Sequence, residues 1–377
     1  MRLSPGLRRV LGSCVWLLIG YSQIRCNEKP VPGGAPPFSY AYVTNLGNHT
    51  VSVIDLHSFK NIKTIPVGKS PDRIVASPVA DLLLAANLES SSISAIDSKN
   101  QVVKKNLTVG RNPIDITFSP DGRFAYVACY SSNLVAVIDC QSLNVVRNIK
   151  TERGPVSLKF SDIQKKLWVV HQVENTVGII DLTQLTMVDS IPLPKGPYGL
   201  IFLPDYSKLF VGSSATDTVT AIDVKNQKLI STLFSGRTPL QMVMKPDGGE
   251  IYVNNFDADS VTIINTATCE LNGSFTVGKN PICGVISRDG NRLYVANHGS
   301  NTVSVLDPPN GRQVIASIAV GMHPETVALT PDDLFLFVLN SGSNDVSVIR
   351  TDLIQPGNSA LYAVIPTGAN PSSIAIK

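Results

Sequence analysis

A spacing of 42 residues recurs through most of this 377-residue chain and constrains its fold more than any other feature. The first recurring column closes a short apolar run and consists of Asn45, Asn87, Cys129, His171, Ser213, Asn255, Asn297 and Asn340. The second consists of Asp55, Asp97, Asp139, Asp181, Asp223, Asn265, Asp307 and Arg350. The third is always proline: Pro71, Pro113, Pro155, Pro197, Pro239, Pro281, Pro324 and Pro371. Three columns with one spacing indicate a repeat protein.

Each unit contains four short runs rich in β-branched residues, as in segments 294–297, 301–307, 318–321 and 324–328. Gly, Pro, Asn or Asp bounds each run, which predicts strands separated by turns. A unit of four antiparallel strands is typical of one blade of a β-propeller. The strands lack a clean polar and apolar alternation, so we expect neighbouring blades to bury both faces of each sheet.

The number of strands predicts how the ring closes. The chain enters at the second strand of a blade, near Tyr42, and segment 371–377 is a lone innermost strand. Pairing of this strand with the first blade would leave no open sheet edge. We therefore predict an all-β protein, a single β-propeller of eight four-stranded antiparallel blades closed by its C-terminal strand. A ring of seven blades, with one copy displaced, is the alternative.

The repeated motifs resemble those of a known family. Segment 42–45 reads Tyr-Val-Thr-Asn, and segments 252–255 and 294–297 are near copies. Segment 119–122 is a Ser-Pro-Asp-Gly turn, which has relatives at 245–248 and 287–290. In these features the chain resembles the YVTN-type β-propeller repeats, which include surface-layer and lactonase-like propellers. The resemblance implies an exported propeller, and relatives are often seven-bladed, so a count of eight is a departure.

The turn motifs have structural roles that physical chemistry predicts. Proline presets φ for a type I turn in Ser-Pro-Asp-Gly, and glycine accepts the left-handed conformation that closes the hairpin. The aspartate that ends each Val-x-Val-Ile-Asp run can accept hydrogen bonds from backbone N–H groups in the following turn, an Asx turn. We interpret both columns as structural.

A column of cations is the first candidate for ligand binding. The loop that leads into each inner strand should share one face of the ring with the loop after each Tyr-Val-Thr-Asn strand. Two positions before the proline, six consecutive repeats carry a cation: Lys69, Arg111, Arg153, Lys195, Arg237 and Lys279. Met322 and Ala369 complete the column. Cations around the channel mouth would attract an anionic ligand, such as an acidic glycan or a phosphate-bearing polymer. Solvated loop charges without a ligand are the alternative interpretation.

A second set of candidates surrounds the axis. Two positions after the proline the residues are polar or small: Arg73, Asp115, Ser157, Gly199, Gln241, Cys283, Thr326 and Ser373. Arg73, Asp115 and Gln241 from this column, together with His323, are the tentative ligand contacts. If the protein is an enzyme, these four residues and Glu325 are the first candidates, because their polar side chains cluster around the axis. His171, His298 and His323 should share the upper face without converging on one metal ion. The sequence predicts no catalytic constellation, no metal site and no cofactor.

The N-terminus predicts export. Arg2, Arg8 and Arg9 precede an apolar run at 10–19, which is typical of a signal peptide and too short to span a bilayer. We predict a signal peptide at 1–26, a Pro/Gly-rich linker at 27–39 and the propeller at 40–377, with no transmembrane segment in the mature chain. The location would be secreted, periplasmic or associated with the cell envelope, and lipidation of Cys26 stays open.

Charge and cysteine spacing limit the partners further. A formal net charge of +3 is too small to predict nucleic-acid binding. Cys129, Cys140, Cys269 and Cys283 fall at positions too far apart for disulfides, so we expect free thiols. The sequence favours a monomeric binding or interaction scaffold for an anionic ligand or a protein partner. The alternative is a propeller enzyme of lactonase-like hydrolase or periplasmic redox type.

Overall fold

The computed structural model describes residues 39–310, 313–355 and 360–377. Within these residues the chain is built from strands and turns, with three short 3-10 segments at Tyr130–Ser132, Phe256–Ala258 and Thr351–Leu353. None of these helical segments is long or apolar enough to cross a membrane. The predicted signal peptide at 1–26 and residues 27–38 of the predicted linker lie outside the described residues.

The strands of the described part follow one another at regular intervals. In the first half of the chain they are β1 (Tyr40–Asn45), β2 (Thr50–Asp55), β3 (Lys60–Pro66), β4 (Pro71–Ala76), β5 (Leu82–Asn87), β6 (Ser92–Asp97), β7 (Val102–Thr108), β8 (Pro113–Phe118), β9 (Phe124–Cys129), β10 (Leu134–Asp139), β11 (Asn144–Lys150), β12 (Pro155–Ser161), β13 (Lys166–His171), β14 (Thr176–Asp181), β15 (Thr186–Pro192) and β16 (Pro197–Phe202). In the second half they are β17 (Lys208–Ser213), β18 (Thr218–Asp223), β19 (Lys228–Phe234), β20 (Pro239–Met244), β21 (Glu250–Asn255), β22 (Ser260–Asn265), β23 (Glu270–Thr276), β24 (Pro281–Ile286), β25 (Leu293–Asn297), β26 (Thr302–Asp307), β27 (Gln313–Ala319), β28 (Pro324–Leu329), β29 (Phe335–Asn340), β30 (Asp345–Arg350), β31 (Leu361–Pro366) and β32 (Pro371–Ile376).

These strands form eight antiparallel sheets of four strands each, and the predicted eight-bladed propeller is confirmed. Blade 1 has the order β32-β1-β2-β3, blade 2 has the order β4-β5-β6-β7, and each later blade repeats this pattern up to β28-β29-β30-β31 in blade 8. The strand that begins with proline is innermost in every blade. Each inner strand packs against the inner strands of both neighbouring blades, so the eight surround a central axis.

The predicted closure of the ring is also confirmed. Strand β32 pairs antiparallel with β1, with Ala41 opposite Ile376 and Val43 opposite Ile374. The hydroxyl of Thr44 lies 2.9 Å from that of Ser372, which adds a side-chain contact to the ladder. The two ends of the described chain therefore complete one blade, and the inner edge of β1 is paired.

Burial follows the position of a strand within its blade. The second strand of a blade is buried on both faces, as in β5, where all six residues are buried. The outer strand is mostly exposed, as in β7. Neighbouring blades pack face to face: Tyr42 of blade 1 is fully buried and its hydroxyl donates to the carbonyl of Ser98 in blade 2 at 2.6 Å. The predicted burial of both sheet faces thus holds for the inner three strands.

Both predicted turn motifs are present. Gly122 has φ of 66°, and its N–H donates to the carbonyl of Ser119 at 2.8 Å. The carboxylate of Asp97 accepts the N–H groups of Lys99 and Asn100, both at 2.9 Å. These bonds replace water at backbone groups that the turns leave without ladder partners, so the interpretation of these columns as structural is confirmed.

The column that closes the second strand is structural as well. The amide of Asn297 donates to the hydroxyls of Thr302 and Ser304 at 3.1 and 2.9 Å, and Asn45 makes the equivalent pair of bonds with Thr50 and Ser52. Each buried amide thus joins its own strand to the start and the middle of the third strand.

The four described cysteines, Cys129, Cys140, Cys269 and Cys283, are free thiols. Burial raises the pKa of Cys129 and Cys140 to about 12 and that of Cys283 to about 11. These three thiols therefore stay protonated, and poorly nucleophilic, at neutral pH.

Candidate functional site

Two kinds of loop meet on one face of the ring, which we call the upper face. One follows the second strand of each blade, and the other leads from the outer strand into the inner strand of the next blade. Hydrogen bonds join them: the N–H of Ser70 donates to Nδ1 of His49 at 3.0 Å, and the N–H of Gly196 donates to Oδ1 of Asn175 at 2.9 Å. The prediction that the two loops share one face is confirmed.

The loop into each inner strand has one backbone conformation throughout the ring. The residue directly before the proline has a positive φ in all eight blades, and these residues are Ser70, Asn112, Gly154, Gly196, Thr238, Asn280, His323 and Asn370. A left-handed residue followed by a proline, whose φ is fixed, leaves the loop little freedom. The side chain one position earlier is therefore held at an equivalent place in each blade.

The predicted cations occupy that place. All six are exposed: Lys69, Arg111, Arg153, Lys195, Arg237 and Lys279. We call them the cation arc. Arg153 forms an ion pair with Glu174, and Nη2 of Arg237 donates to the carbonyl of Asp257 at 2.7 Å. The charges of the arc lie on the solvent side of the upper face, within reach of a large anion.

The column two positions after the proline joins neighbouring inner strands. The carboxylate of Asp115 accepts the N–H of Leu158 in the next blade at 2.8 Å. The side-chain oxygen of Gln241 accepts the N–H of Gly284 in the same way. Asp115 and Gln241 are only 2% and 5% exposed. Both have a structural role at the axis that the sequence did not indicate, and their contact with a ligand stays a prediction.

The structure brings two predicted site residues together as a buried ion pair. Nε of Arg73 lies 3.5 Å from Oδ1 of Asp115, and the side chains are 5% and 2% exposed. Burial lowers the pKa of Arg73, and the charges of Asp115 and Asp72 oppose that shift. Burial likewise lowers the pKa of Lys159 to about 8, against the attraction of Asp115. The axis therefore contains opposite charges from blades 2, 3 and 4.

Two further carboxyl groups lie at the upper end of the inner strands. In β4 the register shifts between Pro71 and Arg73, which leaves Asp72 as a β-bulge residue, and Glu325 has the same position in β28. A bulge redirects its side chain relative to the regular strand. Asp72 was missed by the sequence reasoning. Its signal was a charged residue in a column that is apolar in four other blades, at Ile114, Val156, Leu240 and Ile282.

Burial holds both carboxyl groups near their protonated state at neutral pH. Asp72 is 3% exposed, and desolvation, with repulsion from Glu325, raises its pKa to about 8. Desolvation raises the pKa of Glu325 to about 7, which a hydrogen bond from the hydroxyl of Ser341 partly opposes. Groups that titrate near pH 7 at a channel mouth are able to bind cations or to exchange protons.

The raised pKa of Asp72 predicts a pH-dependent stability. Between about pH 4 and pH 8 the folded chain binds a proton here that the unfolded chain releases, so the contribution to stability falls as pH rises. Asp72→Asn removes this dependence. We expect the variant to become more stable relative to the parent chain by roughly 2.5 kcal/mol when the pH is raised from 5 to 7. Urea unfolding at several pH values measures the difference.

The matched control for this prediction is Glu89→Gln, which removes an exposed carboxylate from the upper face. We expect its stability to follow that of the parent chain across the same pH range. An Asp72→Asn chain whose stability ran parallel to the parent from pH 5 to pH 7 would contradict the prediction.

Two of the three predicted upper-face histidines lie together. The rings of His298 and His323 stack with centroids 4.7 Å apart and 17° between their planes. Burial, with repulsion from His323, lowers the pKa of His298 to about 4. His171 is instead buried within blade 4, with Nδ1 3.1 Å from the hydroxyl of Thr176. In the described part of the chain no three His, Cys, Asp or Glu side chains are placed to hold a metal ion.

The fold and this site define the chain as an eight-bladed β-propeller with an open upper face. Two family models that describe β-propellers match parts of the sequence. The YNCE-like beta-propeller model matches residues 80–248, and a model described as "Lactonase, 7-bladed beta-propeller" matches residues 284–356. Propeller repeats are thus recognised in both halves of the chain, while the YVTN assignment stays a prediction. No curated protein matches the sequence.

Solved structures of several different proteins have folds similar to this one. Hydrazine synthase of Kuenenia stuttgartiensis is 24% identical with a TM-score of 0.63, and the match covers 75% of this chain and 96% of that one. The dihydro-heme d1 dehydrogenase NirN is 14% identical with a TM-score of 0.77, and the match covers 93% and 77%. A protein of unknown function from Desulfotomaculum acetoxidans is 18% identical with a TM-score of 0.61, covering 79% and 99%. At these identities the similarity shows the fold alone.

Proposed function

We propose that the protein is a binding scaffold whose upper face takes an anionic polymer, such as an acidic glycan or polyphosphate. The observation that carries the proposal is the cation arc, six exposed cations on six consecutive loops of equivalent conformation. Because the loops are rigid, little conformational entropy is lost from the backbone when a ligand binds.

The spacing of the charges favours a polymer over a small anion. Each cation belongs to a loop that leads into a different blade, so the six charges are spread along the upper face. A single phosphate could contact one or two of these side chains, whereas a chain of phosphates or sulfates could follow the arc. Several weak exposed contacts add up when they act on one linked ligand. Binding of this kind weakens steeply with salt, because counterions are released when it forms.

A charge-neutralising variant tests the proposal. The rim variant carries Lys69→Gln, Arg111→Gln, Lys195→Gln and Lys279→Gln, and it leaves Arg153 with its partner Glu174. We expect elution from heparin at clearly lower salt and an affinity for polyphosphate reduced roughly tenfold or more at 0.1 M salt. Gradient elution and fluorescence anisotropy with labelled polyphosphate measure the two effects.

The control variant removes the same charge from the opposite, lower face. It carries substitutions to glutamine at four exposed lysines near the turns that follow the third strands: Lys60, Lys99, Lys225 and Lys228. We expect it to elute with the parent chain. If both variants lost affinity equally, net charge and not the arc would explain binding, and a parent chain that did not bind either polymer would refute the proposal.

A propeller enzyme of lactonase-like hydrolase or periplasmic redox type is the second candidate. The pKa of about 7 at Glu325 favours it, since a group that titrates near the working pH can act as an acid or a base. The match of residues 284–356 to the lactonase model points the same way. Turnover of a lactone panel or of a dye-linked electron acceptor, lost in Glu325→Gln, would support an enzyme over a scaffold.

Export to the periplasm, the cell envelope or the medium is part of the same proposal. It rests on the basic residues and the apolar run at the N-terminus, and it fits a ligand found outside cells, such as an acidic glycan.

A further inference from the structure

The upper face is asymmetric in charge. The cation arc covers the loops that lead into blades 2 to 7, and it is interrupted at the loops that lead into blades 8 and 1, where Met322 and Ala369 stand instead. Met322 is 53% exposed and has no charge to offer a ligand. One sector of the channel mouth therefore lacks the positive potential of the rest.

The bulge residues of the inner strands are polar in that sector and in blade 2 beside it. Glu325 in β28, Ser372 in β32 and Asp72 in β4 are consecutive around the ring. Elsewhere the equivalent position is occupied by a buried or half-buried apolar side chain or by Tyr198. Two carboxyl groups and a hydroxyl group thus interrupt a largely apolar ring. Glu325 and Ser372 lie below the gap in the cation arc, and Asp72 lies beside it, in the blade whose loop carries Lys69.

Hydrogen bonds connect these three strands at the level of the bulge. The hydroxyl of Thr326 donates to the carbonyl of Ser372 at 2.8 Å. The hydroxyl of Ser372 lies 3.2 Å from the carbonyl of Asp72. The backbones of the three bulge positions are therefore held side by side, with Ser372 between the other two, and the carboxyl groups are near enough for the charge of Glu325 to act on Asp72.

The carboxyl group of Asp72 lacks hydrogen-bond donors. It belongs to a residue that is 3% exposed, and among the described residues neither of its oxygens has a hydrogen-bond partner. Arg73, the cation whose charge acts on Asp72, is paired with Asp115. Burying a carboxyl group without a donor is costly, and a ligand that brings donors would remove the cost.

We propose that Asp72 and Glu325, with Ser372 between them, bind a small organic cation with a protonated amine at the upper mouth of the channel. An ammonium group supplies three N–H donors, which suits two carboxylates and one hydroxyl. A hard metal ion such as calcium needs six or more oxygen ligands, and the described residues supply no third acidic ligand. This site is separate from the cation arc and goes beyond the function proposed for it.

Binding of the amine should release protons at pH 7. Without a ligand, the pKa values of about 8 for Asp72 and about 7 for Glu325 leave protons on the pair. An ammonium group favours the ionised carboxylates, so protons must leave as it binds. The other titratable groups around this part of the axis are Arg73, Asp115 and Lys159, together with Tyr198 and Cys283.

Calorimetric titration of the full chain with methylammonium chloride tests the site. We expect saturable binding at pH 7, with a heat that differs between two buffers of unlike ionisation enthalpy because protons are released. Asp72→Asn and Glu325→Gln should each weaken the affinity at least tenfold. Both variants are isosteric, and Asp72→Asn removes a buried acid, so the folded state is retained. The control Glu89→Gln, an exposed carboxylate of the upper face, should bind methylammonium like the parent chain.

Three results would overturn the inference: no saturable binding of methylammonium, binding that persists in Asp72→Asn, or tight binding of calcium chloride in place of the amine. The rim variant separates this site from the proposed polyanion site, because it should lose heparin binding and keep methylammonium binding. A parent chain that bound methylammonium but not heparin or polyphosphate would refute the proposed polyanion site and leave the amine site intact.

Discussion

Deletion of residues 371–377 is expected to abolish cooperative folding. The deletion removes β32, which supplies the inner strand of blade 1, and leaves one edge of β1 without its ladder. It also removes Ile374, which is 3% exposed in the intact ring, so the apolar side chains that packed against Ile374 become exposed to water. We expect a loss of at least about 5 kcal/mol, which is comparable with the whole stability of many domains. Thermal unfolding followed by circular dichroism should show no sharp transition.

A peptide added in trans provides the control for this deletion. A synthetic peptide of residues 367–377 should restore a cooperative transition to the truncated chain, because it can pair with β1 in the native register. The same peptide with Ile374→Asp should not restore it, since the side chain would place a charge in the packed interface between blades. A truncated chain that melted like the intact one would show that closure by β32 contributes little.

Gly178→Ser is expected to destabilise the fold by about 3 kcal/mol, a typical cost of overpacking a buried site. A Cβ atom at Gly178 would lie 2.5 Å from Cε1 of His171, which is fully buried in blade 4. Most blades have an asparagine where His171 stands and a serine or threonine where Gly178 stands. The larger imidazole is accommodated because its neighbour has no side chain. Urea unfolding of the single variant measures the cost.

The double variant His171→Asn, Gly178→Ser should recover most of that stability. It rebuilds the arrangement of Asn297 and Ser304 in blade 7, where the amide donates to the hydroxyl at 2.9 Å. It also removes Nε2 of His171, a buried nitrogen without a hydrogen-bond partner among the described residues. If the single and double variants were equally destabilised, the imidazole of His171 would not be the cause of the cost of a side chain at Gly178.

The proposed amine site at Asp72 and Glu325 and the cation arc differ in their exposure to solvent, so salt should affect ligand binding at the two sites differently. The cation arc is exposed, so its attraction is screened by salt and needs several members to act together. The carboxyl groups of Asp72 and Glu325 are buried, so a single matched donor has a large effect and salt has a small one. Dependence on salt therefore distinguishes a ligand at the rim from one at the axis.

Much of the candidate site on the upper face could be predicted from the sequence because its residues recur at one spacing. The cation arc, the prolines and the Asx turns each occupy one column, and a column reveals itself by its spacing. Residues that act only once in the ring give no such signal. Asp72 stands out only as an exception to its apolar column, so its spacing did not reveal it. The inter-blade bonds of Asp115 and Gln241 were missed because their partners are backbone groups of another blade.

The sequence by itself determined the eight blades, their strand order and the closure of the ring by the last strand. It could do so because a 42-residue spacing and local turn chemistry specify each unit independently of the rest. Only the tertiary structure decided which residues meet at the axis. Glu325, Ser372 and Asp72 come from three blades and from opposite ends of the chain, and their proximity exists only once the ring has closed. Burial then changed their chemistry, because both carboxyl groups lost water, and only Glu325 gained a donor in exchange, the hydroxyl of Ser341.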